Sequence, residues 1–233
     1  MLYPKNKDRE LSPELYAAPT SEYRGAPFWS WNCRLEKDEL MRQAEILGKM
    51  GFGGYHMHVR SGMDTPYLSP EFMSLVHACV DKAESEHMLA WLYDEDRWPS
   101  GFAGGLVTKD EKYRIRYLLF TPFSYEEVGG KVRHGNEQAT ALRTGNGRLL
   151  ARYSVTLDGN GCLASYRVLA DGESADEGGR VFYAYLEQPH TSPRYNGYTY
   201  VNTMDKAAIE RFIEVTHEAY FREIGDRFGK NVP

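Results

Sequence analysis

The sequence has few cysteines, no long apolar run and no dense cluster of positive charge. Its three cysteines, Cys33, Cys79 and Cys162, are widely spaced and form no CxxC pair. This pattern argues against a disulfide framework and favours a reducing compartment. No stretch approaches the length of a membrane span, and residues 1–23 lack the apolar segment of a signal peptide. We therefore expect no membrane partner and, for the chain as given, a cytoplasmic location. A secreted protein whose signal peptide had already been removed would also show this sequence.

The chain also lacks a dense cluster of basic residues. The formal net charge is −5, and no run of Lys and Arg has the density of a surface that follows a phosphate backbone. We therefore expect no nucleic-acid partner, and a neutral ligand fits the chain better. The 233 residues are 42% apolar and 13% aromatic, which predicts a globular protein with a sizeable core rather than a disordered one.

Strand-like and helical patterns alternate in the first half of the chain. The strand-like runs are Pro27 to Asn32, Gly54 to Val59 and Leu89 to Asp94. Between them, apolar residues recur at helical spacing from Asp38 to Met50, and again after Ser69, a good N-cap that is followed by Pro70. This alternation is typical of successive βα units around a parallel sheet.

The pattern changes near Tyr113, where β-rich segments follow one another as far as about Glu187. Residues 158–161, Asp-Gly-Asn-Gly, predict a hairpin between two of these segments because they tolerate the positive φ of tight turns. A last helical pattern begins near Asp205. The sequence therefore predicts an α/β fold, a partial TIM-type (β/α) barrel with an inserted antiparallel β subdomain.

We divide the chain accordingly into four parts. They are an N-terminal arm at 1–22, the first βα units of the barrel at 23–112, the antiparallel β insertion at 113–187, and a return to the barrel with a helix at 188–233. The open strand edges of a partial barrel favour association, so a homo-oligomer formed through these edges is one expectation.

Polar and aromatic side chains follow each predicted strand, at the end where βα folds carry their active sites. They are Trp29, Trp31 and Asn32; His56, His58 and Arg60; and Asp94, Glu95, Asp96 and Trp98. The first two tryptophans have a simpler alternative as packed core, because an indole buries a large area. His56 and His58 stand two residues apart on a strand and so share one face. Three carboxylates directly after an apolar strand favour a polar cleft over a solvated turn.

Five stretches of the chain, in order, resemble the N-terminal half of a glycoside hydrolase barrel family that includes the family 106 α-L-rhamnosidases. They are RGAPFWSWN, GFGGYHMHVRSG, PYLSPEFM, AWLYDEDRWPSGFAGG and FIEVTHEAYF, and they fall within residues 23–112 and 195–233. WLYDEDRWPSG is the most distinctive, whereas the β insertion matches only in position. The resemblance implies a (β/α)8 catalytic barrel with a sugar-binding cleft near Trp29, Trp31, His56, Asp94 and Glu95. It also implies that later strands supply further acidic residues.

Hydrolysis of a glycosidic bond needs two carboxyl groups about 5 to 10 Å apart. Adjacent residues on one turn cannot supply both. We therefore predict a glycoside hydrolase, α-L-rhamnosidase-like as one option, in which Asp94 and Glu95 contribute one catalytic group and the other strand-end residues bind substrate. The isolated chain is expected to show little activity. No cofactor and no metal ion are expected.

Two alternatives remain at this stage. A metal-dependent hydrolase would use His56 and His58, since His-x-His at a strand end holds two imidazoles towards one ion, but such a site needs at least one more ligand. The remaining histidines lie in or beside predicted helices (His77, His87 and His217) or in or next to the insertion (His134 and His190). The second alternative is a fragment that binds carbohydrate without cleaving it.

Overall fold

The structure is a computed structural model that describes residues 10, 12–124 and 146–233. These residues form a mixed α/β fold with a three-stranded parallel sheet and a separate four-stranded antiparallel sheet, and no closed barrel is seen among them. The chain divides into two compact units, Met1–Val107 with Lys206–Pro233, and Thr108–Asp205.

The second unit is longer than the insertion that we predicted from the sequence. Residues 188–205, which we assigned to the return to the barrel, are grouped with the antiparallel sheet. The reason is a backbone pairing, because Ile115 N donates to Tyr200 O at 2.9 Å and Arg114 forms a bridge with Val201. Residues 125–145 of the predicted insertion, including His134, lie outside the described residues.

The first unit is built on the parallel sheet. Its strands are β1 (Phe28–Trp31), β2 (Gly54–Val59) and β3 (Leu89–Trp91), in the order β1-β2-β3. All pairs are parallel, which confirms the βα alternation expected from the sequence. The first and third strands are shorter than predicted and end at Trp31 and Trp91, before the polar residues that follow them.

The described residues of this unit also form five α-helices: α1 (Pro13–Ala17), α2 (Lys37–Lys49), α3 (Pro70–Ser85), α4 (Lys206–Val215) and α5 (His217–Ile224). The start of α3 is as predicted, since Ser69 Oγ accepts a hydrogen bond from Phe72 N at 3.2 Å and Pro70 occupies the first turn. None of the helices in the described ranges is both long enough and apolar enough to cross a bilayer.

The last helical pattern, predicted as one helix, is interrupted at Thr216. The Thr216 hydroxyl donates to the Phe212 carbonyl at 2.6 Å, a back-bond that bends helices. The interruption separates α4 from α5 and makes His217 the first residue of α5.

The core of the first unit lies between one face of the sheet and its helices. Trp31 is 1% exposed and meets the Phe72 ring edge-on at 5.7 Å. The buried Tyr55 hydroxyl donates to the Cys79 carbonyl of α3 at 2.6 Å, which satisfies its polar atom inside the core. Alternate residues of β1 and β2 therefore point into this core.

The second unit contains β4 (Tyr117–Thr121), β5 (Arg148–Leu157), β6 (Leu163–Leu169) and β7 (Arg180–Glu187), all antiparallel in the order β4-β7-β5-β6. The predicted hairpin is confirmed between β5 and β6. Asp158 Oδ1 accepts hydrogen bonds from Asn160 N and Cys162 N at 2.9 Å, and Gly161 has a φ of +79° that favours glycine.

Candidate functional site

One face of the parallel sheet carries imidazole and aromatic rings in contact across the strands. The Phe28 ring lies 5.0 Å from His56, and His56 stacks on Trp91 at 4.9 Å. His58 meets the ring of Tyr93, just after β3, edge-on at 4.2 Å. His56 and His58 alternate with buried residues of β2, which confirms that they share a face.

Trp29 and Trp31 lie on the opposite face of the sheet. They are 8% and 1% exposed and belong to the core. Trp29 Nε1 donates to Gln43 Oε1 of α2 at 2.7 Å. Because successive strand residues point to opposite faces, neither indole can share the face of His56. We therefore assign both tryptophans to packing rather than to ligand contact.

Asn32 and Arg60 are exposed residues that follow β1 and β2. The Arg60 backbone N–H donates to Trp31 O at 2.9 Å, so Arg60 continues the pairing of the two strands. Burial lowers the pKa of His58, and the charges of Arg60 and His56 act in the same direction. His58 is therefore favoured as a neutral imidazole near pH 7, able to donate and to accept a hydrogen bond.

Glu95 is fully buried and is held by the loop that follows it. Its carboxylate accepts five backbone N–H bonds of 2.6 to 3.0 Å, from Asp96, Gly101, Phe102, Ala103 and Gly104. A carboxylate offers about four lone-pair sites, so these donors saturate both oxygens. Burial raises the pKa of Glu95 to about 7, while the backbone N–H groups act to lower it. Glu95 organises the loop and is not free to contact a ligand.

The loop held by Glu95 presents one large exposed side chain. Trp98 is 64% exposed, whereas Asp96 is buried and lies 3.3 Å from the Arg97 guanidinium. Gly104 has a φ of +61° and lies so close to Asp96 that a Cβ would be 3.0 Å from the Asp96 Cβ. The glycines therefore allow a compact loop from which the Trp98 indole projects.

Asp94, the residue before Glu95, has an entirely different environment. Its Oδ1 accepts from Ser100 Oγ at 2.6 Å, and its Oδ2 lies 3.4 Å from His217 Nε2. The hydrogen bond from His217 lowers the pKa of Asp94; Ser100 adds to the effect, and burial opposes it. Asp94 is therefore an ionised carboxylate near neutral pH, with 34% of its side chain exposed.

A cavity of about 280 Å³ adjoins Asp94, and its lining residues are Leu92, Tyr93, Asp94, His217, Tyr220 and Phe228. The Tyr220 hydroxyl donates to Tyr93 O at 3.1 Å and so joins α5 to the end of β3. Burial raises the pKa of Tyr93, with Glu95 and Asp94 adding to the rise and Arg60 opposing it. The cavity thus has one acidic wall and several aromatic ones.

We expected Asp94 or Glu95 to face the same concavity as His56. The structure turns Glu95 into its loop and Asp94 towards His217, and among the described residues neither carboxylate bonds to His56. Tyr93 connects the two groups, since it lines the cavity and its ring contacts His58. The strand-end residues therefore form two neighbouring surfaces with Tyr93 between them.

Sequence reasoning missed His217, Tyr93 and Tyr220. Tyr93 was detectable, because it stands two residues after Trp91 on the face shared with the histidines. His217 follows Thr216 in the pattern of the last helix and carried no local signal of proximity to Asp94. Its place depends on how α5 packs, which the sequence does not reveal.

No group of three or more His, Cys, Asp or Glu residues that could hold a metal ion occurs in the part of the chain that the structure describes. The His56 and His58 rings instead pack against Phe28 at 5.0 and 4.9 Å. These residues therefore do not provide the third ligand that a metal-dependent hydrolase needs, and we do not propose that function.

No family model matches the sequence, and no curated protein matches it significantly. The resemblance of the five motifs to family 106 glycoside hydrolases stays a prediction. The site geometry is accordingly the main support for any statement about function.

Proposed function

We propose that the chain is the sugar-binding portion of a (β/α)-barrel glycoside hydrolase. The observation that carries the proposal is the Asp94 carboxylate, ionised and accessible at an aromatic-walled cavity beside the carboxyl end of a parallel sheet. Sites of parallel βα folds lie at this end. A carboxylate accepts hydrogen bonds from sugar hydroxyls, and aromatic rings pack against the apolar face of a pyranose.

The Trp98 indole supports the same function. It is the most exposed tryptophan and lies in the loop fixed by Glu95, two residues before the Ser100 that bonds to Asp94. An exposed indole on a loop held by buried hydrogen bonds offers an apolar face to a pyranose. We propose that Trp98 stacks on the ligand while Asp94 accepts hydrogen bonds from the ligand's hydroxyl groups.

The chemistry of the two carboxylates limits what the site does. Asp94 has a lowered pKa, so it stabilises positive charge or accepts hydrogen bonds rather than donating a proton near pH 7. Glu95 has no free oxygen lone pair. Because glycoside hydrolysis needs two carboxyl groups, we propose that Asp94 binds the sugar and contributes one of the two, while Glu95 holds the loop in place.

Binding is tested with a panel of methyl pyranosides that includes methyl α-L-rhamnoside, using ligand-observed NMR and calorimetry. We expect saturable binding of at least one sugar, weakened about tenfold in Trp98→Ala because stacking is lost. Tyr16→Ala removes an aromatic ring that is 76% exposed on α1 and should bind like the parent protein. Absence of binding across the panel, or equal losses in both variants, would contradict the proposal.

Turnover is tested separately with aryl glycosides. We expect the chain to release little or no phenolate, because Asp94 is the one accessible group among the three carboxylates that follow β3. Rapid release would show that the chain holds a complete catalytic pair, and the division of roles given above would then be wrong.

A further inference from the structure

We infer that His217 is the positioning residue of this site, which holds the Asp94 carboxylate at the wall of the cavity that both residues line. The nature of the ligand rests on the proposed function, but the positioning itself does not. The first residue of α5 thus acts on the first polar residue after β3, from a distant part of the chain.

Polar contacts hold the His217 ring between Thr216 and Asp94. The Thr216 hydroxyl donates its proton to Phe212 O at 2.6 Å and lies 3.1 Å from His217 Nδ1. The other ring nitrogen, Nε2, lies 3.4 Å from Asp94 Oδ2. The ring therefore touches polar atoms on both sides, and one of them is the Asp94 carboxylate.

This arrangement assigns different tasks to the two residues. Both ring nitrogens of His217 lie next to protein oxygens, at 3.1 and 3.4 Å, so the imidazole is engaged by the protein itself. Asp94 accepts one hydrogen bond from Ser100 and touches His217, which leaves lone-pair sites of its carboxylate for other donors. Asp94 is the group that meets the ligand, and His217 acts through it.

Among the described residues, Tyr67, Tyr93, Tyr220 and Glu95 are titratable groups close to this pair. Burial raises the pKa values of Tyr67, Tyr93 and Tyr220, so these phenols stay neutral across the acidic and neutral range. Glu95 is the nearby carboxyl group whose pKa burial raises to about 7. A bulk pH profile would mix Glu95 with Asp94, so the test must observe the Asp94 carboxyl carbon itself.

A second histidine pair in the same unit supplies a matched control. His77 Nε2 of α3 lies 3.4 Å from Glu223 Oε2 of α5, the same distance as in the Asp94 pair. The side chains are 43% and 50% exposed and line a different cavity, with Leu68 and Arg222. His77→Ala removes a histidine–carboxylate contact without touching Asp94.

The decisive measurement is a carbon-13 NMR titration of the Asp94 carboxyl group. His217→Ala removes the largest cause of the lowered Asp94 pKa, while burial still opposes ionisation of Asp94. The Asp94 pKa should therefore rise in this variant. His217→Gln retains one side-chain donor and should give an intermediate value, and it replaces His217→Ala if the latter does not fold. His77→Ala should leave the Asp94 titration unchanged. An unchanged Asp94 titration in the His217 variants would overturn the inference.

The same variants are then tested for binding of the sugar that the wild-type protein prefers. We expect about tenfold weaker binding in His217→Ala near pH 7, because the Asp94 acceptor is no longer held at the cavity wall, and partial rescue in His217→Gln. If no sugar binds the wild-type protein, the proposed function fails while the NMR titration still decides the role of His217. If sugar binds equally well to all variants, the role of His217 is refuted and the proposed function stands.

Discussion

Asp94 and Glu95 are adjacent in the chain, yet their carboxylates occupy opposite environments. The Asp94 side chain is 34% exposed beside a cavity, whereas Glu95 is fully buried and bonded to backbone N–H groups. The glycine-rich loop folds back onto Glu95, whereas Asp94 is turned towards Ser100 and His217, so one residue becomes an internal anchor and the other a surface acceptor. Any experiment on this acidic cluster must treat the two residues separately.

Glu95→Gln should destabilise the protein by about 3 kcal/mol or more. Glutamine has one acceptor oxygen, and its amide N–H groups would face the backbone N–H donors of the loop, leaving several of them unsatisfied. Chemical denaturation measures the free energy of unfolding, and hydrogen exchange at Gly101 to Gly104 reports the loop. The control is Glu71→Gln. Glu71 lies on α3 and forms an exposed ion pair with Arg34, so its loss should have little effect on stability. Equal stability of Glu95→Gln and the parent protein would refute the anchoring role.

The stability contributed by Asp94 should depend on pH in a defined direction. Its pKa in the folded protein is lowered from the ordinary 3.8, so its contribution is present above that value and is lost as the pH falls through the folded pKa. The difference in unfolding free energy between wild type and Asp94→Asn should therefore shrink from about pH 6 to about pH 2.5. Urea denaturation at both pH values measures it, and Asp38→Asn in α2 serves as the comparison. A difference that grows on acidification would contradict the ionised state.

Trp31→Ala should cost about 3 to 5 kcal/mol, since it opens a cavity in the core beside Phe72. Phe28→Ala, on the other face of β1, should cost less than about 1 kcal/mol because its ring is 68% exposed. Thermal denaturation of the two variants is the measurement. The reverse order would mean that the faces of β1 are assigned incorrectly.

Gly54→Ala should destabilise the parallel sheet by about 2 kcal/mol or more. A Cβ at this position would lie 2.0 Å from Leu89 O and 2.6 Å from the Trp91 ring, so β2 and β3 would have to separate. Gly159→Ala is the control, because a Cβ there meets nothing within 4 Å. We expect the control to change stability by no more than about 0.5 kcal/mol. Similar unfolding midpoints for both variants would contradict the close strand approach.

Local sequence signals predicted the elements whose residues interact with near neighbours. Ser69 and Pro70 start α3, and the Asp158 side chain closes the β5–β6 hairpin on residues two and four positions later. The alternation along β2 likewise predicted that His56 and His58 share a face. These features depend on capping, turn conformation and residue period, and all three act over a few residues.

Tertiary packing alone decided the rest. Alternation cannot tell which face of a strand meets the helices, so it left open whether Trp31 or His56 would be buried. The local sequence does not distinguish the two strand-end carboxylates. They differ because the glycine-rich loop folds back on Glu95 and because α5 places His217 next to Asp94. Contacts between residues far apart in the chain depend on which loops close and which helices pack. Local propensity therefore determined the elements of this protein, and the closure of its loops and helices determined which carboxylate is accessible.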